Sequence, residues 1–209
     1  MQDYYTVAKA AEDRFEEKRS KFIGYVRPVT TVEEANDFIN EIKTKHWDAK
    51  HNVYAYVLRE GNIQRFSDDG EPQGTAGIPA LDVLQKSNVT DLCVVITRYF
   101  GGILLGGGGL VRAYSHSASI ALQAAGIVHM VPCNQCSLTC DYTFYGRIPN
   151  LMAQFDAEVT DTQFADKVTV EFLLPTDNLD SFQSELTELS SGRITATVMG
   201  ETYRAVPVE

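Results

Sequence analysis

The chain has 209 residues, 44% of them hydrophobic, and a formal net charge of −10 at pH 7. That length is enough for one large domain or two small ones with a real core, and the acidity excludes a general nucleic-acid coat, because phosphate binding is carried by Lys and Arg. The charge is uneven: residues 1–130 hold 14 Lys+Arg against 16 Asp+Glu, whereas residues 131–209 hold 4 against 12, so an anionic partner is expected on the N-terminal half.

The first twenty residues intersperse acids and bases and have no apolar core region, which argues against a signal peptide. The longest apolar run, Ala118 to Cys133, is interrupted by Gln123 and His129 and is too short to span a bilayer. Four cysteines in a chain with its own core need not form disulfides. A cytoplasmic protein with no membrane contact is the expectation.

In chain order, Lys21 to Arg27 alternates as a strand closed by Pro28. Thr31 to Lys45 follows as a helix, with Thr31 as N-cap, Glu33 and Glu34 in its first turn, and Ala35, Phe38, Ile39 and Ile42 at helical spacing. Asn52 to Leu58 and Ile63 to Phe66 read as a hairpin about Gly61-Asn62. Pro79 marks the first turn of a helix carrying Leu81, Val83 and Leu84, and the continuous apolar run Leu92 to Arg98 is a buried strand. Leu110 to Ala125 is a second long helix, stopped by Gly126.

Beyond Met130 glycine thins out and acids take over. Cys136 to Tyr142 predicts a strand, Tyr145 to Phe155 a helix, Glu158 to Gln163 and Lys167 to Leu174 two strands, Asn178 to Leu189 a helix, and Ile194 to Tyr203 a last strand. This βαββαβ order is that of the ferredoxin-like arrangement. A boundary near Val131-Pro132 therefore divides the chain into domains 1–130 and 131–209, in an α+β protein.

The stretch from Ser67 to Tyr114 holds the glycines, acids and arginines that packing alone does not demand. Gly101, Gly102 and the run Gly106-Gly107-Gly108-Gly109 precede a helix, where backbone N–H groups and the macrodipole favour an anion. No Walker A loop is present, since neither Lys nor Ser/Thr follows the glycines, and the dinucleotide context is also lacking. Arg98 and Arg112 flank the loop and would converge on a phosphate, or else pair with Asp68, Asp69 or Glu71 of the other glycine loop. Those three acids with His51 are candidates for a divalent metal or acid–base chemistry, although Asp-Gly before Glu-Pro is also good turn chemistry. No nucleophile with a base is evident: Ser115, His116 and Ser117 share one helix. His129, Cys133, Cys136 and Cys140 have ligand types suited to zinc, but Cys136 and Cys140 alternate with Leu138 as inward residues of a strand.

The motifs Lys18-Arg19-Ser20-Lys21-Phe22-Ile23, Asp48-Ala49-Lys50-His51-Asn52, Asp68-Asp69-Gly70-Glu71-Pro72, Gly74-Thr75-Ala76-Gly77, Thr97-Arg98-Tyr99-Phe100-Gly101-Gly102 and Gly109-Leu110-Val111-Arg112-Ala113-Tyr114 together resemble the IMPACT family, the YigZ-like proteins of bacterial two-domain type. The resemblance implies an N-terminal α+β sandwich of the ribosomal-protein domain-two type and a C-terminal ferredoxin-like domain similar to those of elongation factor G. It also implies a role in translation regulation. Eukaryotic members compete for the activator of the kinase that phosphorylates initiation factor 2, through an added N-terminal domain that this sequence does not match, so that partner is not carried over. The family's lysine between Gly-Gly-Ile and Leu-Gly is Leu104 here, which removes one basic contribution from the loop.

The resulting expectation is a non-enzymatic, cofactor-free binding protein that contacts RNA or a ribosome-associated partner through Arg98, Arg112, Lys50, Gly101, Gly102, Gly107, Gly108 and Gly109. The alternative is an enzyme or binding protein for a small phosphorylated ligand, using Asp68, Asp69, Glu71 and His51. A homodimer stays open.

Overall fold

The computed structural model describes residues 1–208. By internal contacts the chain falls into two compact units, one of residues 4–129 joined by residues 207–208, the other of residues 130–206 with residues 1–3.

The first unit opens with two strands, β1 (Tyr4–Val7) and β2 (Ala11–Glu17), that the sequence pattern does not announce. β2 reads AEDRFEE and exposes nearly all of it. It is an edge strand whose charges deter pairing with another chain, and such a strand shows no apolar alternation. After it come β3 (Ser20–Pro28), α1 (Val32–Lys45), β4 (His51–Leu58), β5 (Ile63–Ser67), α2 (Gly77–Lys86), β6 (Leu92–Tyr99) and α3 (Gly107–Ala125).

The main sheet has the order β2-β3-β6-β4-β5, and every neighbouring pair is antiparallel. β6 lies at its centre and is covered on both faces, which is why its apolar run is continuous although its pairing is antiparallel. Cys93 and Val95 join Ala35, Phe38, Ile39 and Ile42 of α1 on one face. Val94 and Ile96 join Leu84 of α2 and Leu110, Tyr114 and Ala118 of α3 on the other. Helix α1 starts as its sequence implies, with the Glu34 N–H donating to Thr31 Oγ1 at 3.1 Å.

Two close approaches fix α3 and the loop before it. A Cβ on Gly24 of β3 would stand 2.5 Å from the Ser117 carbonyl oxygen of α3, and one on Gly101 would stand 2.0 Å from the Arg19 backbone. Only glycine permits either contact. Arg19 belongs to the two-residue turn Lys18-Arg19 that joins β2 to β3, pairing Glu17 with Ser20. Both turn residues are left-handed, with φ of 47° and 62°.

His46, just past α1, is buried, and burial holds its imidazole below the usual histidine pKa, with Lys45 adding to the effect. Tyr99 OH donates to Asp48 at 2.9 Å, so the His46 Nδ1–H donates to Tyr99 OH at 2.8 Å, and Nε2 accepts from Tyr25 OH at 2.7 Å. The unfolded chain therefore binds a proton near pH 6.5 that the folded chain refuses, and stability falls as pH drops below that value. Melting temperatures measured from pH 8 to 5.5 should decline below about pH 6.5. An NMR midpoint for His46 at or above that of free histidine would overturn this expectation.

The second unit comprises most of β7 (Ile127–Cys140), then α4 (Tyr142–Tyr145), α5 (Ile148–Gln154), β8 (Glu158–Phe164), β9 (Val168–Pro175), α6 (Leu179–Ser190) and β10 (Thr197–Pro207). β7 pairs with β9, which pairs with β8, while β1 and β10 also pair with β7. Leu151, Met152, Phe182 and Leu186 of the helices bury Cys136, Leu138, Cys140, Val170 and Phe172 of the sheet. The α+β composition expected from the sequence holds in both units, with four differences here. The strand expected from Cys136 already begins at Ile127. Tyr142 begins a short helix rather than ending a strand, because Asp141 accepts the Phe144 N–H at 2.7 Å as an N-cap. The expected Tyr145 to Phe155 helix is two pieces, separated at Gly146-Arg147, with Pro149 in the first turn of α5. The last strand begins at Thr197, not Ile194. No helix among the described residues is long and apolar enough to cross a membrane.

Candidate functional site

The loop from Asp68 to Ala76 carries three carboxylates, and each binds a different part of the first unit. Asp68 accepts the N–H groups of Gly74 at 2.8 Å, Ala76 at 3.1 Å and Gly77 at 2.8 Å. Ala76, at the N-cap of α2, has no side chain to do this, so the cap comes from eight residues upstream. That is why α2 begins at Gly77, ahead of Pro79. Asp69 accepts the Asn52 N–H at 2.6 Å and Lys43 Nζ at 2.9 Å, tying the loop to β4 and α1.

Glu71 reaches inward. Its Oε1 accepts Arg98 Nη1 at 2.6 Å and Tyr114 OH at 2.7 Å, which links the loop to the end of β6 and to α3. All three groups are buried, and Arg98 is 5% exposed. Burial first, and then the Glu71 charge, push the Tyr114 hydroxyl far above the ordinary tyrosine pKa, so it stays a donor. The Arg98 guanidinium lies 5.5 Å from the Phe22 ring centre and 5.6 Å from that of Phe100, and its Nε is buried without a hydrogen-bond partner. Arg98 Nη2 also lies 3.5 Å from Ser20 Oγ, which accepts the Gly101 N–H at 3.2 Å. His51 Nδ1 donates to the Asp69 carbonyl at 2.9 Å, and its Nε2 stands 4.0 Å from Glu71 Oε2.

Asp68, Asp69, Glu71, His51 and Arg98 thus converge on one another and on backbone. Among the described residues no group of three or more His, Cys, Asp or Glu side chains is placed to hold a metal ion. The Arg98–Glu71 pair is one of the two alternatives the sequence left open for that arginine. Tyr114, Ser20, Asn52 and Lys43 complete the network without having been singled out as site residues. Ser20, Asn52 and Tyr114 do lie within the motifs that carried the family resemblance.

Arg112 is placed differently. It lies in the first two turns of α3, exposed, with no ion pair or hydrogen bond among the described residues. Gly106 is the N-cap of α3 and offers no side chain, which leaves the first-turn N–H groups of Gly107, Gly108 and Gly109 open to solvent. Gly101 is packed against the Arg19 backbone, whereas Gly102 has open space around it. The tip of this loop is apolar: Phe100 and Ile103 are half-exposed, and Leu104 is 81% exposed. Lys50 is exposed just before β4. Gly107 and Thr75 lie side by side, so the two glycine-rich turns meet.

The remaining candidates are structural. Ser117 donates to the Ala113 carbonyl within α3, and Ser115 lies 3.5 Å from the Pro79 carbonyl. His129 stacks on Tyr5 with ring centres 4.7 Å apart. Cys93, Cys133, Cys136 and Cys140 are free, buried thiols, all pushed up in pKa by burial.

The chain matches the Impact N-terminal domain over residues 18–122 and a domain of unknown function, DUF1949, over residues 138–193. It is 40% identical to the IMPACT family member YvyE of Bacillus subtilis, over 92% of this chain and 89% of that protein. It is 34% identical to the IMPACT family member YigZ of Escherichia coli, over 85% and 88% of the two chains. A crystal structure of a hypothetical protein superposes with a TM-score of 0.61 at 32% identity, covering 95% of this chain and 98% of the other. Because the matches span both units at this identity, the chain belongs to the IMPACT family.

Proposed function

We propose that this chain is a cytoplasmic, non-enzymatic binding protein of the translation-regulator type, whose first unit contacts RNA phosphates through the open N-terminus of α3, Arg112 and Lys50. The observation that carries this reading is an arginine with no ion pair or hydrogen bond among the described residues, beside uncapped helix N–H groups, a combination suited to an anionic oxygen. Arg98 has a supporting part in it, holding the loop from beneath through Glu71 and Ser20. Membership of a family whose eukaryotic members regulate translation favours an RNA or ribosome-associated partner over an unrelated one.

The same reading takes 1–130 and 131–209 as separate domains, the first a sandwich of the ribosomal-protein domain-two type and the second ferredoxin-like and similar to elongation factor G. The succession β7-α5-β8-β9-α6-β10, with β7 flanked by β10 and β9, supports the second assignment. A small-ligand enzyme working through the acidic loop is disfavoured, because Asp68, Asp69 and Glu71 already spend their oxygens on the protein itself.

The test is binding to a mixed-sequence single-stranded RNA across a salt series, for the wild type and an Arg112→Ala, Lys50→Ala double variant. Both side chains are exposed, so the variant should melt like the wild type. Each lost cation should weaken binding uniformly across sequences and lower the slope of log affinity against log salt by about 0.7. No binding by the folded wild type at low salt would sink the proposal.

A further inference from the structure

A well-formed hollow in the first unit lies beside α3, away from the acidic loop. It has a volume of about 340 Å³, at the small end of the roughly 300–1,000 Å³ typical of ligand clefts. Its apolar wall is formed by Phe15 of β2, Leu105 of the glycine loop and Ala113 of α3. Around this wall stand Lys18, Arg112 and His116, with Glu17 as the one acid.

Neither Lys18 nor Arg112 has an ion pair or hydrogen bond among the described residues, and neither neutralises Glu17. Two unspent cations and an imidazole over an apolar wall form a site for an anion with an organic body. His116 is held edge-on to Phe15 at 4.6 Å, and Phe15 is itself stacked on Phe22 at 5.1 Å, so this wall is preformed. The turn at Lys18-Arg19 brings Lys18 in from the edge of the sheet, so that it and Arg112 both border the hollow. Gly109, in the first turn of α3, also borders the space and adds the positive end of the helix dipole to the same side.

The geometry points to a binding site for a phosphomonoester carried on a compact apolar or aromatic group, as in a mononucleotide. The doubly charged phosphate would be held between Lys18 and Arg112, with the organic portion against Phe15 and Leu105. A phosphodiester carries a single charge and continues at both ends, which suits two cations at the edge of a small, half-open hollow less well. The same chemistry occurs on a free nucleotide and at the 5′ end of an RNA. This goes beyond the RNA-phosphate surface proposed above: Lys50 is no part of the cavity, and Lys18, Phe15 and His116 are no part of that surface, although Arg112 serves both.

The experiment is calorimetric titration of the full chain with adenosine 5′-monophosphate, adenosine, and a five-nucleotide RNA with or without a 5′-phosphate. The wild type should bind the monophosphate saturably and adenosine at least about tenfold more weakly. Lys18→Gln and Arg112→Gln should each cost about tenfold, with melting temperature retained, while Lys86→Gln, exposed at the end of α2 and outside the hollow, leaves the affinity unchanged. Tight binding of the 5′-phosphorylated RNA but not its 5′-hydroxyl form would assign the site to RNA ends, and binding of the mononucleotide alone would assign it to a free metabolite. Equal affinity for adenosine, indifference to Lys18→Gln, or no binding of either phosphomonoester by the folded protein would overturn the site. Salt-dependent RNA binding that survived such a failure would leave the RNA surface standing by itself.

Discussion

Glu71→Ala should destabilise the first unit by about 3–5 kcal/mol, the cost of leaving one member of a buried ion pair without the other. The substitution strands the Arg98 guanidinium, whose side chain is 6% exposed, and removes the acceptor of Tyr114 OH at the same time. Neither donor has another strong partner: Ser20 Oγ is 3.5 Å from Arg98, and Arg98 Nε is already unsatisfied. For a unit of this size the loss corresponds to a fall in melting temperature on the order of 10–20 °C, measurable by calorimetry. The double variant Glu71→Ala, Arg98→Met should recover part of it, since an apolar replacement of the pair leaves no buried charge. A single variant that melts within about 2 °C of the wild type would show that water reaches Arg98 and that the pair is not a closed one.

Asp68→Ala comes next in size, at about 2–4 kcal/mol, because three backbone N–H groups lose a charged acceptor and α2 loses its cap. Asp68→Asn should retain a fraction, its amide oxygen replacing one carboxylate oxygen. This loss separates a structural carboxylate from a metal ligand. A capping Asp68 gives the same penalty with chelator or with millimolar magnesium present. A ligand would instead give a wild type stabilised by magnesium and a variant indifferent to it, and that result would overturn the capping role.

The elements that local chemistry specifies were legible in the sequence. Helix α1 carries its cap, first-turn acids and apolar stripe within fifteen residues, and α3 ends at Gly126 as its sequence implies. β2 was not legible: only Ala11 and Phe15 turn inward, and the strand exists because β3 pairs with it along its whole length. Pro79 falls in the first turn of α2 as the sequence implies, but what caps that helix was hidden for a related reason. Its cap comes from Asp68, outside the few residues that capping patterns cover. The proximity of the acidic loop to Arg98 was within reach as one of two alternatives, but which acid pairs with it is decided by tertiary geometry. Glu71 meets residues 27 and 43 positions away in sequence. Arg98 and Arg112 look equivalent on paper, each beside glycines. Their difference arises because one closes a central strand covered on both sides and the other lies on the outer side of a helix.

The Lys18-Arg19 turn has a further consequence. A two-residue hairpin with both φ values positive is the conformation that Asn-Gly adopts freely, and an ordinary L-residue held there costs about 1–2 kcal/mol. The hairpin alone would be better served by another pair. One of the two, Lys18, lines the hollow beside α3, so the strained turn also places a cation there. A stabilisation scheme aimed at strained turns would substitute this one early, for a firmer hairpin and a melting point that rises. The same change would remove Lys18 from the lining of the hollow, so on the proposed phosphomonoester site the more robust molecule would be the poorer binder.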